Sequence, residues 1–370
     1  MIGRRRLAAL ALCAAVVVVL AGCTSQTPAG RTRSSTGAGT TTAPARGSLT
    51  GSQMAAIVTA TMATNNRANR SIDLSLLKTY EGGSALAIDA ASYVESAKTP
   101  SSACSYPPFG ITVLETVALG GTSYPRRFLA LGTSRPLAPP KGCSAQSSSC
   151  PNADSLFEFE QSAAGGPWKI ILEPSAATGR VVDLASDGSQ APPLSAQASG
   201  EVEHLPGTLA SALGSFETTG HLGRLSAREF ASSCFVLPNP RAAFEQYVRS
   251  GVTEQQVYSP AADRVTAPLT SGGTLSLFTL NFVTTLVPTA ADGSIEWVSV
   301  PSAEPVTGLL PTGQYSRIVQ HGALELAVTT SSGGRFTIIG AYSGVTSITG
   351  TKGSTGQGSG GGVLVSDVSS

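Results

Sequence analysis

Charge and histidine are scarce in this chain. Lys, Arg, Asp and Glu make up 13% of 370 residues, the net charge is +1, and there are three histidines. That balance argues against nucleic acid, which demands a basic stripe, and against a polybasic membrane face. Lysine occurs only at Lys78, Lys98, Lys141, Lys169 and Lys352. The chain has no CxxC, HExxH, GxSxG or P-loop pattern, and its glycine-rich run Gly358–Gly362 does not sit between a strand and a helix, so the usual signatures of zinc sites, nucleophile elbows and phosphate cradles are missing. No metal and no cofactor is expected. His204, His221 and His321 belong to no ligand pattern and read as surface groups. Apolar residues are present at 41%, and roughly 300 residues outside the leader and tails are enough for two domains of ordinary size.

The N-terminus carries a cationic start, Arg4-Arg5-Arg6, and an apolar run from Leu7 to Leu20. That run is shorter than the roughly 20 residues a spanning helix needs. It ends in Leu20-Ala21-Gly22-Cys23, which resembles the lipobox of bacterial lipoproteins. The resemblance implies cleavage between Gly22 and Cys23 and attachment of a diacylglycerol to the Cys23 sulfur, with palmitate-type acyl chains. The expected location is then the extracytoplasmic side of the cell membrane. A plain signal peptide with an incidental cysteine is the alternative, since the small residues also suit a generic cleavage site. Residues 24–47 hold Ser, Thr, Pro, Gly, Ala and Arg with no acidic residue. They read as a disordered tether reaching roughly 25–30 Å.

Four cysteines remain in the mature chain: Cys104, Cys143, Cys150 and Cys234. Export permits disulfides, and four cysteines allow three connectivities. Cys143 with Cys150 is the local choice, closing a Ser-rich loop, and Cys104 with Cys234 would then follow. Zinc is the competing reading, weakened by the lack of ligand spacing.

Thr50 and Gln53 form a capping-box pattern ahead of Met54, Ile57, Val58, Thr61 and Met62 at helical spacing, so a helix is expected to about Asn69. Asp73 can cap a second helix, which Gly82-Gly83 stop, and Ser84 a third to about Glu95. The period then falls to two. Ile111 to Leu119, Arg127 to Leu131, Phe157 to Glu160 and Trp168 to Leu172 read as strands, with a turn at Gly165-Gly166. After a turn-rich stretch the order repeats: a helix from Leu205 to about Thr218, another opening at Asn239-Pro240, then strands at 255–258, 275–287, 295–300, 315–328 and 336–342. The 275–287 strand is apolar on both faces and should be central. Val363 to Val365 offers an edge strand.

The expected fold is α+β: two tandem domains, each with N-terminal helices packed on a curved antiparallel sheet. The divisions are signal peptide 1–22, lipidated cysteine and tether 23–47, first domain 48–178, linker 179–203, second domain 204–348 and Gly/Ser-rich tail 349–370. Three stretches resemble an uncharacterised family of lipoproteins from high-GC Gram-positive bacteria. They are residues 65–95, including Tyr80-Glu81-Gly82-Gly83-Ser84, residues 123–130 with Tyr124-Pro125-Arg126-Arg127, and residues 165–174 ending Leu172-Glu173-Pro174. The order of helices then curved sheet is also similar to NTF2-like and cystatin-like folds, which host enzymes, carriers and adaptors alike.

For chemistry, Asp73, Tyr80, Asp89 and Tyr93 lie on the helices that would cover the first sheet. The bland reading makes Asp73 a cap, Asp89 a solvent-facing residue and the tyrosines packed aromatics. Arg126 and Arg127 open a strand and can meet an anion or pair across strands with Glu158. Trp168 and Trp297 lie in period-2 alternation and read as core, and the loop 136–154 is the first choice for a contact surface. No catalytic residue stands out. The leading expectation is a non-enzymatic envelope binding or adaptor protein, bound to the membrane by its N-terminal diacylglycerol, with an envelope protein or a lipid as partner. A carrier of an apolar ligand in a sheet-lined cavity is the alternative, and an NTF2-like hydrolase or isomerase comes third.

Overall fold

Thr50 starts the first helix as its sequence pattern requires. Its Oγ1 accepts from the Gln53 N–H at 3.2 Å, and its own N–H donates to Gln53 Oε1 at 2.8 Å. Helix α1 spans Gly51–Ser71 in the computed structural model, which describes residues 49–97, 106, 108–120, 123–138, 154–176, 183–185, 194–219, 251–291, 293–297, 309–352 and 363–365. Asp73 caps α2 (Leu74–Tyr80), its Oδ1 accepting from the Ser75 and Leu76 N–H groups at 3.0 Å each. Helix α3 spans Gly83–Ser96 with Gly82 at its N-cap, so Ser84 lies inside the first turn and is not the cap expected of it. The lipobox and tether, Cys104, Cys143, Cys150, Cys234, His221, the Asn239-Pro240 helix start and most of the 136–154 loop lie outside the described residues.

The strands follow the period-2 segments. β1 is Phe109–Leu119, β2 Arg126–Pro136, β3 Asp154–Gln161, β4 Lys169–Leu172 and β5 Ser175–Ala176. After helix α4 (Ala196–Thr219) come β6 (Val252–Pro268), β7 (Thr274–Pro288), β8 (Ile295–Trp297), β9 (Gly313–Thr330), β10 (Phe336–Lys352) and β11 (Val363–Val365). The fold is α+β, with a curled antiparallel sheet forming a half-barrel and few helices. The hairpin expected about Gly165-Gly166 is present as β3–β4, and the strands expected at 315–328 and 336–342 form a second one, β9–β10. β7 lies between β9 and β6, inside the sheet as its two apolar faces require. β11 pairs with β8 in parallel.

The two halves meet in one sheet. The order runs β1-β2-β3-β5-β10-β9-β7-β6, with β5 joining β3 to β10, and the described residues fall in one compact unit, Ala45–Ser370. Packing explains the merger. Leu129, Leu131, Leu156 and Leu172 from the first half touch Val265, Leu275, Leu277 and Ile339 from the second in one buried cluster. Alternation along the strands sends the opposite faces to the helices. Phe128, Ala130 and Phe157 pack on Met54, Val58 and Met62 of α1. Phe278, Leu280, Leu324 and Leu326 pack on Leu205, Leu209 and Leu213 of α4.

α4 starts at Ala196, well ahead of the expected Leu205, and so takes in part of the segment expected as a linker. Pro206 then falls inside the helix and cannot donate to the Val202 carbonyl. Arg264 on β6 fills the gap, donating Nη2 to Val202 O at 2.6 Å and Nη1 to Glu203 O at 3.1 Å. This tertiary bond supplies the Val202 carbonyl with the donor that Pro206 lacks.

Candidate functional site: a buried carboxylate cluster

Glu81 leaves α2 in an extended conformation (φ −119°, ψ 155°) and pairs with Ile170 in a short parallel bridge. The next N–H, from Gly82, donates to Ile170 O at 2.8 Å. Gly83 follows at φ 55°, and a Cβ there would stand 2.7 Å from Ile171 Cγ2. Both the left-handed backbone and the close approach call for glycine. This tight turn delivers Glu81, Ser84 and Asp89 to the sheet together.

On the sheet, Thr279 (β7), Glu325 (β9) and Tyr342 (β10) are direct cross-strand neighbours and share one face. Ser84 Oγ lies 2.7 Å from Glu325 Oε1 and 2.8 Å from Thr279 Oγ1. Since Ser84 has one proton, it donates to the carboxylate and accepts from Thr279. Glu325 Oε2 accepts from the Glu173 N–H at 2.6 Å. Tyr342 donates its hydroxyl proton to Asp89 Oδ1. Glu81 differs from its neighbours: it is fully buried, and neither carboxylate oxygen has a hydrogen-bond partner. One oxygen from each of Glu81, Asp89 and Glu173 lies within 4.8 Å of the others.

Burial is the main influence on these groups, and the charged neighbours acting on them are other carboxyls. Glu81 is raised far above the ordinary carboxyl range by burial, then by the negative charges of Asp89 and Glu325. Glu173 moves in the same direction for the same reasons, burial first. Burial takes Asp89 up to about 6 against the Tyr342 hydrogen bond. It takes Glu325 up to about 8 even though the Glu173 N–H and Ser84 favour its ionised form. Such a group of carboxyls must hold protons or meet a positive charge.

A family model for a domain of unknown function (DUF8094) matches residues 45–350. The chain belongs to this family. All four carboxyls of the cluster fall inside the DUF8094 match. No curated protein sequence matches the chain.

Elsewhere in the DUF8094 domain the expected residues take ordinary roles. Asp73 is a cap. Tyr80 and Tyr93 are buried among Ala68 and Leu77, and Tyr93 donates to Asn69 Oδ1. Trp297 is buried, and Trp168 is half-buried, edge-on to Phe128 at 5.1 Å. His204 and His321 are exposed. Arg127 pairs across strands, 3.3 Å from Glu158 and 2.7 Å from Glu160, with Glu158 buried beneath it. Burial raises Glu158 to about 7 against the pull of Arg127. Ala138, at the start of the proline-rich loop, lines a cavity of about 210 Å³ with Asn66, Arg70, Tyr106 and Pro108. This is smaller than the roughly 300–1,000 Å³ of drug-sized ligand pockets.

Asp89 is the one expected candidate that reaches the cluster, and it turns inward instead of facing solvent. Glu81, Glu173, Thr279, Glu325 and Tyr342 are not singled out by the sequence, and Ser84 reads there only as a helix cap. One signal was available for Glu325. Leu324 and Leu326 flank it, while Ala323 and Ala327 share its phase, so both faces of that strand are apolar and Glu325 must be buried.

Proposed function

We propose that this DUF8094 protein is a lipid-anchored binding or adaptor protein on the extracytoplasmic side of the cell membrane, with no catalytic activity of its own. The observation that carries the reading is the burial of two of the cluster's carboxyls. Glu81 and Glu325 are fully buried, and packed leucines from both halves occupy the interior beside them. A substrate would have to displace protein to reach them. The cluster instead fastens the α2–α3 cover to the sheet, which leaves the outer surfaces for partners. β1 stands at one end of the strand order, and Leu114 and Leu137 are exposed on it and just after β2. The lipobox-like Leu20 to Cys23 supports the anchor. Each half runs from helices to strands and ends in a hairpin, which supports two related units of NTF2-like or cystatin-like order whose sheets have merged.

Labelling native cells with an alkyne analogue of palmitate tests the anchor. The expected result is label on the wild-type chain in the membrane fraction, with label and fraction both lost in Cys23→Ser. A wild-type chain that is unlabelled and free of the membrane overturns it. Photocrosslinkers at positions 114 and 137 in intact cells test the contact surface. A discrete adduct is expected, and its absence at both positions removes this face as the docking surface.

A further inference from the structure

We propose that Glu81, Asp89 and Glu173 are the protein ligands of a single hard divalent cation, with Ca²⁺ the best match, and that this ion locks the α2–α3 turn to the β4–β5 connection. The proposal goes beyond the adaptor reading and does not depend on the lipid anchor. Its first support is Glu81, a carboxylate sealed from water with no hydrogen bond at either oxygen. Buried polar groups are almost always paired, and an exception asks for a missing partner. This one is directed at two further carboxylates.

The spacing fits one ion. Ca²⁺ binds oxygen at 2.3–2.6 Å, so two of its ligands stand at most about 5 Å apart when opposite and closer when adjacent. Three oxygens within 4.8 Å of one another meet that condition. Mg²⁺, at about 2.0–2.1 Å, needs a tighter set, or water in place of one carboxylate. The donors are all carboxylate oxygens, and among the described residues no histidine or cysteine joins the group. That chemistry selects hard cations over zinc or copper.

The surroundings are arranged as an outer shell. Tyr342 donates to Asp89 Oδ1 and so orients this carboxylate. Glu325 has both oxygens occupied, by Ser84 and by the Glu173 N–H, so it positions Glu173 and is not itself a ligand. Hydrogen bonds of this kind orient ligands and tune affinity.

The test uses the full chain purified in detergent, stripped with EDTA and dialysed. CaCl₂, MgCl₂ or MnCl₂ is added at constant ionic strength, and bound metal and thermal unfolding are both measured. One Ca²⁺ per chain is expected, with a Tm that rises as Ca²⁺ is added and a smaller response to Mg²⁺. Glu81→Gln is expected to weaken Ca²⁺ binding at least about tenfold while keeping the far-UV spectrum, and Tyr342→Phe to weaken it by about 10- to 100-fold. A wild-type chain that binds no divalent cation overturns the proposal and leaves shared protons as the cluster's only counter-charge. Undiminished binding by Glu81→Gln overturns it too. If Glu81→Gln does not fold, Glu173→Gln takes its place, and the wild-type stoichiometry decides without either variant.

Discussion

The Ser84 hydroxyl on α3 donates to the Glu325 carboxylate on β9 at 2.7 Å, joining residues 241 positions apart. With the Glu173 N–H on the other Glu325 oxygen, this bond ties the helical cover, the first half's hairpin and the second half's central strands to one side chain.

Ser84→Ala removes that bond and the Thr279 contact while leaving Glu325 buried. The expected loss is about 1–3 kcal/mol, the cost of a buried acceptor left short of a donor. Urea unfolding at neutral pH measures it. A loss below about 0.5 kcal/mol would mean that Glu325 finds another donor.

Glu158 makes stability depend on pH. Burial first, then the charges of Asp263 and Glu160, lift it from 4.5 to about 7, with Arg127 opposing. A folded-state value above the unfolded one means that its contribution is complete below about pH 4.5 and is lost as pH rises through about 7. The full swing is about 3 kcal/mol for a group this deeply buried. Glu158→Gln should flatten the stability profile over that window, as read by denaturant midpoints at pH 4.5, 6 and 8. An unchanged slope would place the proton uptake elsewhere.

Two left-handed glycines separate backbone strain from crowding. Gly165 has φ 70° with nothing within 4 Å of a built Cβ, whereas at Gly83, φ 55°, the Cβ would meet Ile171 at 2.7 Å. Gly165→Ala should cost about 1–2 kcal/mol for the backbone alone. Gly83→Ala should cost a further 1–3 kcal/mol or so for the clash. Equal losses in thermal or urea unfolding would contradict the close approach of Ile171.

Arg264 and Pro206 form a testable pair. Arg264→Leu leaves the Val202 carbonyl without its donor and should cost about 1–3 kcal/mol. Adding Pro206→Ala supplies an N–H at that place in the helix and should recover most of the loss. Additive losses in this double-mutant cycle would show that the guanidinium acts elsewhere.

Much of the local structure was legible in the residues. The capping box at Thr50, the Asp73 cap, the strand alternation, both hairpins and the central place of β7 depend on short-range rules of hydrogen bonding and burial. Arg127 with Glu158 could also be foreseen, since β2 and β3 are antiparallel neighbours. The carboxylate cluster could not. Its members stand at positions 81, 89, 173 and 325, and no spacing rule links a helix end, a strand exit and a strand in the other half. Ser84 looked like a cap because Gly82-Gly83 read as the stop of the helix before it; in the structure Gly82 takes the N-cap place and the Ser84 hydroxyl bonds Glu325 instead.

What the sequence determined by itself was therefore the kind and two-faced patterning of the elements, because these follow from backbone hydrogen bonds and from which side chains avoid water; their ends were not fixed, since β6, expected at 255–258, runs Val252–Pro268 and β10, expected to 342, runs to Lys352. Tertiary structure decided how the halves combine. Leucines from β2–β4 and apolar residues of β6 and β7 (Val265, Ala267, Leu275, Leu277) bury more surface against each other than either set could alone, and β5 supplies the hydrogen bonds that carry the sheet across. That closure buried Glu81 and Glu325, brought the half-buried Asp89 and Glu173 beside them, and made the four carboxyls a site.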